Sequence, residues 1–276
     1  MQDIDYPGEG PLVLLFHGLG GNPMALQLVA QRLAAAGHAV RVPYLPGYGH
    51  SPDDCSPVLT HETWEAMAMA QLDRALAEPR CSVVVGGIGI GANLALHLAL
   101  RVPERVSALL LISTTLFYDG WSLPWYRSLL PLIGGTPLSR WCRVRESHPF
   151  GVKNHRIREW IAHQMESTGH SVAGARDLPL SALCEAWRMM GRIRRQLPAI
   201  TAPALILHAA EDEMASLRTP DFLASRLGSV RLEKRIYTDS YHRLTLDNDR
   251  YAVAQACVDF LSGYGGAAAG TQPLAA

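Results

Sequence analysis

Six short runs constrain what this chain can fold into: Leu12–Phe16, Ala39–Val42, Ser82–Val85, Ala108–Ile112, Ala204–His208 and Arg231–Tyr237. Near-continuous apolar runs of this length suit strands buried on both faces of a parallel sheet. Between them lie Met24–Ala36, His61–Glu78, Gly91–Arg101, Pro220–Leu227 and Tyr251–Leu261, which carry Leu and Ala at helical spacing, with Pro or Gly near several boundaries. Strand and helix patterns in alternation predict an α/β fold with a doubly wound, mostly parallel sheet. The 276 residues suit a single such core. The sequence shows no internal repeat.

The rhythm breaks once. From Leu116 to about Ile200 no clear strand pattern is visible, and the composition turns to Trp, Arg and Met, with Trp121, Trp125, Trp141, Trp160 and Trp187. Thr201-Ala202-Pro203 then restarts the strand pattern. The expected division is a core of residues 1–115 and 201–261, a mainly helical cap insertion of residues 116–200, and a flexible tail of residues 262–276. Arg140 to Ile200 holds 11 Lys/Arg against 5 Asp/Glu, a net +6. That excess could favour an anionic substrate, although a solvated helix face is the plainer reading. Trp121, Trp125, Tyr126 and Leu129 open the cap, either packing within it or lining an apolar ligand pocket. Ligand sites favour concave apolar surfaces at the carboxyl ends of parallel strands, so some of these side chains are expected to bind substrate.

Lys+Arg and Asp+Glu both number 25, which supplies no electrostatic argument for nucleic acid or an anionic membrane surface. A small molecule is the expected partner. Five cysteines, Cys55, Cys81, Cys142, Cys184 and Cys257, are an odd set with no CxxC pair, as fits unpaired thiols in a reducing compartment. Met1 to Gly10 is polar and acidic, unlike a secretory signal, and no apolar run reaches membrane-spanning length. A cytoplasmic protein is expected. No cofactor is implied, and no metal site, since His97, His163 and His170 lack ligand-like partners in the sequence.

The run Val83-Val84-Val85-Gly86-Gly87-Ile88-Gly89-Ile90-Gly91-Ala92-Asn93-Leu94-Ala95-Leu96 takes a buried strand through a glycine-rich turn into a helix. That is the setting of a nucleophile elbow, G-x-S-x-G, whose small flanking residues let a tight turn lift one side chain above the sheet. Gly87 and Gly91 hold the flanks, and Gly89 holds the nucleophile's position. On these residues the chain resembles the α/β-hydrolase superfamily from roughly Gly10 to Leu261. Within it, the chain is most similar to small bacterial carboxylesterases and monoacylglycerol-lipase-like serine hydrolases. Three further segments carry the likeness. Leu14 to Gly21 resembles the oxyanion loop, Leu205 to Met214 the strand end bearing the triad acid, and Tyr237 to Asp247 the loop bearing the triad histidine.

The resemblance implies roles. The Leu19 and Ile90 amides would converge on a developing oxyanion, where one such donor contributes about 2.7–4 kcal/mol. His242 would be the general base, and Asp212 would orient its imidazole. Glu211 and Glu213 are rivals of Asp212 on the same loop; His17 is expected to brace its loop, and Asp239 and Asp247 to cap theirs. Gly89 departs from the family pattern, because glycine offers no atom to attack an acyl carbon. Losing the nucleophile from an assembled triad costs on the order of 10⁶ in turnover in subtilisin. The chain as written is expected to be nearly inactive as a covalent hydrolase. Three functions stay open: an acyl hydrolase seen without its nucleophile, a lyase or cyclase using His242 without a covalent intermediate, and a pseudohydrolase binding module.

Overall fold

A computed structural model of the chain describes residues 2–48, 59–76, 82–123, 139 and 142–268. The main sheet has seven strands: β1 (Ile4–Tyr6), β2 (Leu12–Phe16), β3 (Ala39–Val42), β4 (Val83–Ile88), β5 (Val106–Ile112), β10 (Ala204–Ala209) and β11 (Leu232–Tyr237). Their order is β1-β3-β2-β4-β5-β10-β11. Only β1 runs antiparallel to its neighbour. Crossovers between the parallel strands carry α1 (Gln27–Ala35), α2 (His61–Leu76), α3 (Ile90–Arg101) and α6 (Arg218–Arg226), and α7 (Arg250–Ala268) follows β11.

Side chains alternate across the sheet, and each face has its own layer. Leu12, Leu14 and Phe16 pack with Trp64 and Leu72 of α2 and Leu94 of α3. Val13 and Leu15 face the other way, onto Val29 and Leu33 of α1 and Phe260 of α7. Both sets are buried, which is why β2 reads as an unbroken apolar run. Full burial of each such side chain contributes about 1.5–3 kcal/mol.

The segment between β5 and β10 stands outside this sheet. It contains α4 (His155–Thr168) and α5 (Leu180–Gln196), together with four short strands: β6 (Arg143–Arg145), β7 (His170–Ser171), β8 (Gly174–Ala175) and β9 (Asp177–Pro179). These pair as β6 with β9 and β7 with β8. Strands of two or three residues are too short to show a period, so none was expected here. The edge strand β1 was hidden for the same reason. The last helix also runs past Leu261 to Ala268, where a flexible tail was expected from residue 262. Once a helix is formed, each added residue gains a hydrogen bond, and this propagation carries the helix past Gly263, Gly265 and Gly266 although each costs about 1 kcal/mol against alanine.

Close approach of the elbow to β2 explains its glycines. A Cβ on Gly91 would overlap the carbonyl oxygens of Phe16 and His17, and one on Gly87 would run into Phe16 and Gly91 backbone. Both obstacles are backbone in a buried sheet. Alanine is favoured over glycine in a helix by about 1 kcal/mol, whereas overpacking costs typically about 1–3 kcal/mol or more. Gly91→Ala is therefore expected to destabilise the protein by about 1–2 kcal/mol, read from its urea midpoint. A midpoint equal to the parent's would show that β2 yields freely.

Candidate active site

Gly89 joins β4 to α3 at φ +59°, ψ −120°, a backbone region open to glycine and strained for other residues by about 1–3 kcal/mol. Its N–H donates to the Ile112 carbonyl at 3.1 Å, and its carbonyl accepts from the Thr115 N–H at 3.4 Å. These bonds fix the turn to β5. A Cβ built on Gly89 would have as nearest neighbours His242 Nε2 at 3.2 Å, Thr115 Oγ1 at 3.8 Å and His242 Cε1 at 3.9 Å. Whatever side chain stood at residue 89 would therefore meet the imidazole of His242.

That imidazole is held from behind. His242 Nδ1 lies 2.8 Å from Asp212 Oδ2, and the other oxygen of Asp212 accepts the N–H groups of Met214 at 2.9 Å and Ala215 at 2.8 Å. Asp212 is buried at the end of β10. Burial alone would raise its carboxyl pKa, but the His242 charge and hydrogen bond outweigh it, so Asp212 titrates below the usual range. The reciprocal holds for His242. Burial works to lower it, and the Asp212 charge and hydrogen bond, with the charge on Glu213, carry it above the ordinary histidine value. His208, behind Asp212, is driven down by burial and holds the Ala215 carbonyl through Nε2 at 2.8 Å.

The three acids of this loop have separate partners. Glu211 is exposed and pairs with Lys153 at 2.7 Å. Glu213 is buried and accepts the backbone N–H of His242 at 3.0 Å, and burial pushes its carboxyl up to about 7. Adjacency in sequence gave no sign that Asp212 would hold the ring and Glu213 the main chain of one histidine.

Leu19 and Ile90 line the same cavity as Gly89 and His242. The Ile90 N–H opens α3 and is one of the donors that a first helical turn leaves without an intrahelical partner. In the loop of Leu19, the Gly20 N–H is taken by the Tyr48 carbonyl and the Gly21 N–H by the Gly18 carbonyl. His17 is fully buried beneath this loop. Its Nδ1 contacts the Gly18 carbonyl at 2.9 Å and its Nε2 accepts the Leu45 N–H at 3.2 Å. Burial drives its pKa down to about 4. It is a neutral brace between two loops.

The cavity measures about 80 Å³. Tyr118, Ala173, Leu178 and Leu183, from the segment between β5 and β10, form much of its apolar wall. Trp121 does not join them. It is 61% exposed, its Nε1–H donates to the Glu211 carbonyl at 3.0 Å, and its ring stands edge-on to Tyr241. With its polar end satisfied there, the indole caps the acid loop from outside. Trp125, Tyr126 and Leu129 lie outside the described residues. The apolar composition of the segment does not say which of its side chains turn inward.

Asp247 ties the histidine loop to the rest of the molecule. Its buried carboxylate accepts the N–H groups of Lys153 at 2.6 Å and of Asn154, Tyr241 and Asn248 at 2.9 Å each. Next to His242, Arg243 reaches the carbonyls of Phe150 and Ala173 and the carboxylate of Glu146. Each buried donor left without a partner costs about 1–3 kcal/mol. Asp247→Ala is expected to cost at least ~3 kcal/mol, measured as a shift of the urea midpoint at constant slope. A loss under 1 kcal/mol would mean that water replaces the carboxylate freely.

A second titratable cluster stands apart from the cavity. His61 Nδ1 lies 2.7 Å from Glu185 and its Nε2 3.1 Å from Glu62, and ligand atoms of these three residues fall within 4.8 Å of one another. Arg192 Nη1 also reaches His61 Nε2 at 3.1 Å, and Arg188 pairs with Glu185. The arginines supply the positive charge that these carboxylates need. His97, for which no partner was expected, meets Glu65 at 3.3 Å.

The sheet order, its crossovers and the elbow together define an α/β-hydrolase fold. Solved structures agree. A structure described under LipS and LipT, two metagenome-derived lipolytic enzymes, gives a match with TM-score 0.78 at 22% identity, covering 95% of this chain and 97% of that one. The monoacylglycerol lipase of Paleococcus ferrophilus gives 0.78 at 17% identity over 95% and 97%. The family profile described as serine aminopeptidase, S33, matches residues 10–249, and the chain belongs to that family of hydrolases. Among curated proteins it is 26% identical over 263 residues to the thermostable monoacylglycerol lipase of Bacillus sp. (strain H-257), covering 95% of this chain and 94% of that one. It is 21% identical over 268 residues to a carboxylesterase of Bacillus subtilis (strain 168), covering 94% and 96%. Among the described residues, no helix is long and apolar enough to cross a membrane.

Proposed function

We propose that this chain carries the site of a carboxylesterase-, lipase- or thioesterase-like acyl hydrolase for a small, hydrophobic acyl ester or thioester, with Gly89 standing at the nucleophile's position. In this reading Asp212 orients His242, His242 is the general base, and the Leu19 and Ile90 amides stabilise the oxyanion. Residues 116–200 form the cap that supplies the acyl wall, and no metal or cofactor takes part. Cys142 and Cys257 are free thiols, which supports a cytoplasmic setting.

The observation that carries the reading is the 3.2 Å between His242 Nε2 and the Cβ position of Gly89. A serine there would bring its hydroxyl to the imidazole that Asp212 already holds. With glycine, the base has no hydroxyl to deprotonate, so turnover by the covalent route is nearly absent. Gly89→Ser is expected to raise hydrolysis of short to medium p-nitrophenyl esters by about 10³–10⁶-fold, since a missing nucleophile costs on the order of 10⁶. A folded variant no faster than the parent would replace this reading with a binding module or with non-covalent chemistry at His242.

A further inference from the structure

We propose that the parent protein, with Gly89, binds the carboxylates of hydrophobic acids, one carboxylate oxygen taking the place of a nucleophile's side chain against His242 Nε2. This rests on the reading above for the identity of the site, and assigns to the parent protein retention of an acid in place of turnover.

The nearest atoms to the Gly89 Cβ position are polar: His242 Nε2 at 3.2 Å and Thr115 Oγ1 at 3.8 Å. A hydroxyl oxygen or a carboxylate oxygen suits such surroundings, and a methylene does not. The second oxygen of a carboxylate lies on the same side of the acyl chain as the first, and the Leu19 and Ile90 backbones line the same cavity. Ile90 also begins a twelve-residue helix, whose positive end favours an anion.

The charge of the site is arranged for this ligand. Asp212 gives its oxygens to His242, Met214 and Ala215, so it keeps its charge and supports a proton on His242. An imidazolium then presents its Nε2–H to the cavity. Two carboxyls besides line the cavity: Glu146, whose charge is offset by Arg243 at 3.0 Å, and Glu213, which as an anion would repel the ligand. Burial pushes its carboxyl up to about 7, so it turns neutral as the pH falls below that value. The remaining charged groups around His242 are accounted for. Arg243 is engaged with Glu146 and two carbonyls, and His208 is driven toward its neutral form. Falling pH therefore protonates His242 and neutralises Glu213 together, and both changes favour a carboxylate until the ligand itself protonates. Leu178, Leu183 and Leu246 give the wall against which the alkyl chain packs.

Butyrate and hexanoate are suitable probes, titrated into the parent protein by isothermal calorimetry between pH 5.5 and 8.5. Binding is expected at the lower pH and weaker by at least 10-fold at pH 8.5. Gly89→Ser, whose hydroxyl would occupy the oxygen's place, is expected to lose at least 10-fold in affinity at pH 6. His242→Gln is expected to lose affinity at pH 6 by at least 10-fold and to keep only the part of the pH dependence that Glu213 supplies. Unchanged affinity in both variants, or no binding by the folded parent, would overturn the proposal. The two readings fail separately. Esterase gain in Gly89→Ser with no carboxylate binding by the parent removes this one alone. Carboxylate binding with no esterase gain leaves this one standing and removes the hydrolase reading.

Discussion

In a Gly89→Ser background, His242→Ala is expected to lower kcat for a p-nitrophenyl ester by about 10⁴–10⁶-fold, with the fold intact. The imidazole is the base placed to take the proton of the introduced hydroxyl, because Nε2 is the nearest atom to the Cβ position of residue 89. In subtilisin, loss of the serine or of the histidine alone costs on the order of 10⁶, about as much as losing the whole triad. His242 is largely covered yet sits on a loop, with 15% of its side chain exposed, so truncation leaves a small, solvent-accessible gap. Circular dichroism and the urea midpoint check the fold. A loss under 10-fold would mean that a different group takes the hydroxyl's proton, with Glu213, raised to about 7 on the same cavity wall, as the first candidate.

The second large effect is that of Asp212→Asn in the same background, expected to lower kcat by about 10⁴-fold, as in serine proteases where the wrong imidazole tautomer is then favoured. The pH profile carries a further, independent signature. The base works only when neutral, so activity falls as pH falls through the His242 pKa. The Asp212 charge and hydrogen bond hold that value above the ordinary one, placing the acid limb above about 6.5. Removing the charge lowers the histidine pKa, and the residual activity should therefore persist to lower pH. An acid limb that stays in place, or a Glu211→Gln variant as impaired as Asp212→Asn, would show that the wrong acid has been chosen. The second outcome is disfavoured by geometry, because Glu211 points to Lys153.

The parts of this fold written locally were readable, and the parts made by distant contacts were not. Leu12–Phe16 and Ala204–His208 announce buried parallel strands because every side chain in them has a covered face. Gly87, Gly89 and Gly91 mark the elbow because steric demands on a turn leave only glycine or one strained residue. The strand β4 was expected to end at Val85 and runs to Ile88, since Gly86 and Gly87 have little strand preference of their own and owe their place to β2 and β5. The fourfold acceptor role of Asp247 links residues more than ninety positions apart, and no spacing rule could anticipate it. Trp121 shows the limit of composition most clearly. A tryptophan near a ligand site can turn toward it or away, and here a single carbonyl, that of Glu211, holds it outward.

The central claim is that residue 89 occupies the nucleophile's position, and covalent capture tests it most directly. Diethyl p-nitrophenyl phosphate transfers its diethylphosphoryl group to an activated serine hydroxyl, releases p-nitrophenolate, and leaves a stable ester. Incubation with Gly89→Ser, followed by peptide mass spectrometry, is expected to show one diethylphosphoryl group on residue 89 and one equivalent of p-nitrophenolate released. The parent protein should show neither, and His242→Ala in the same background should react far more slowly. A folded Gly89→Ser protein that stays unmodified, or that carries the group on Ser113 or Thr115 instead, would contradict the assignment.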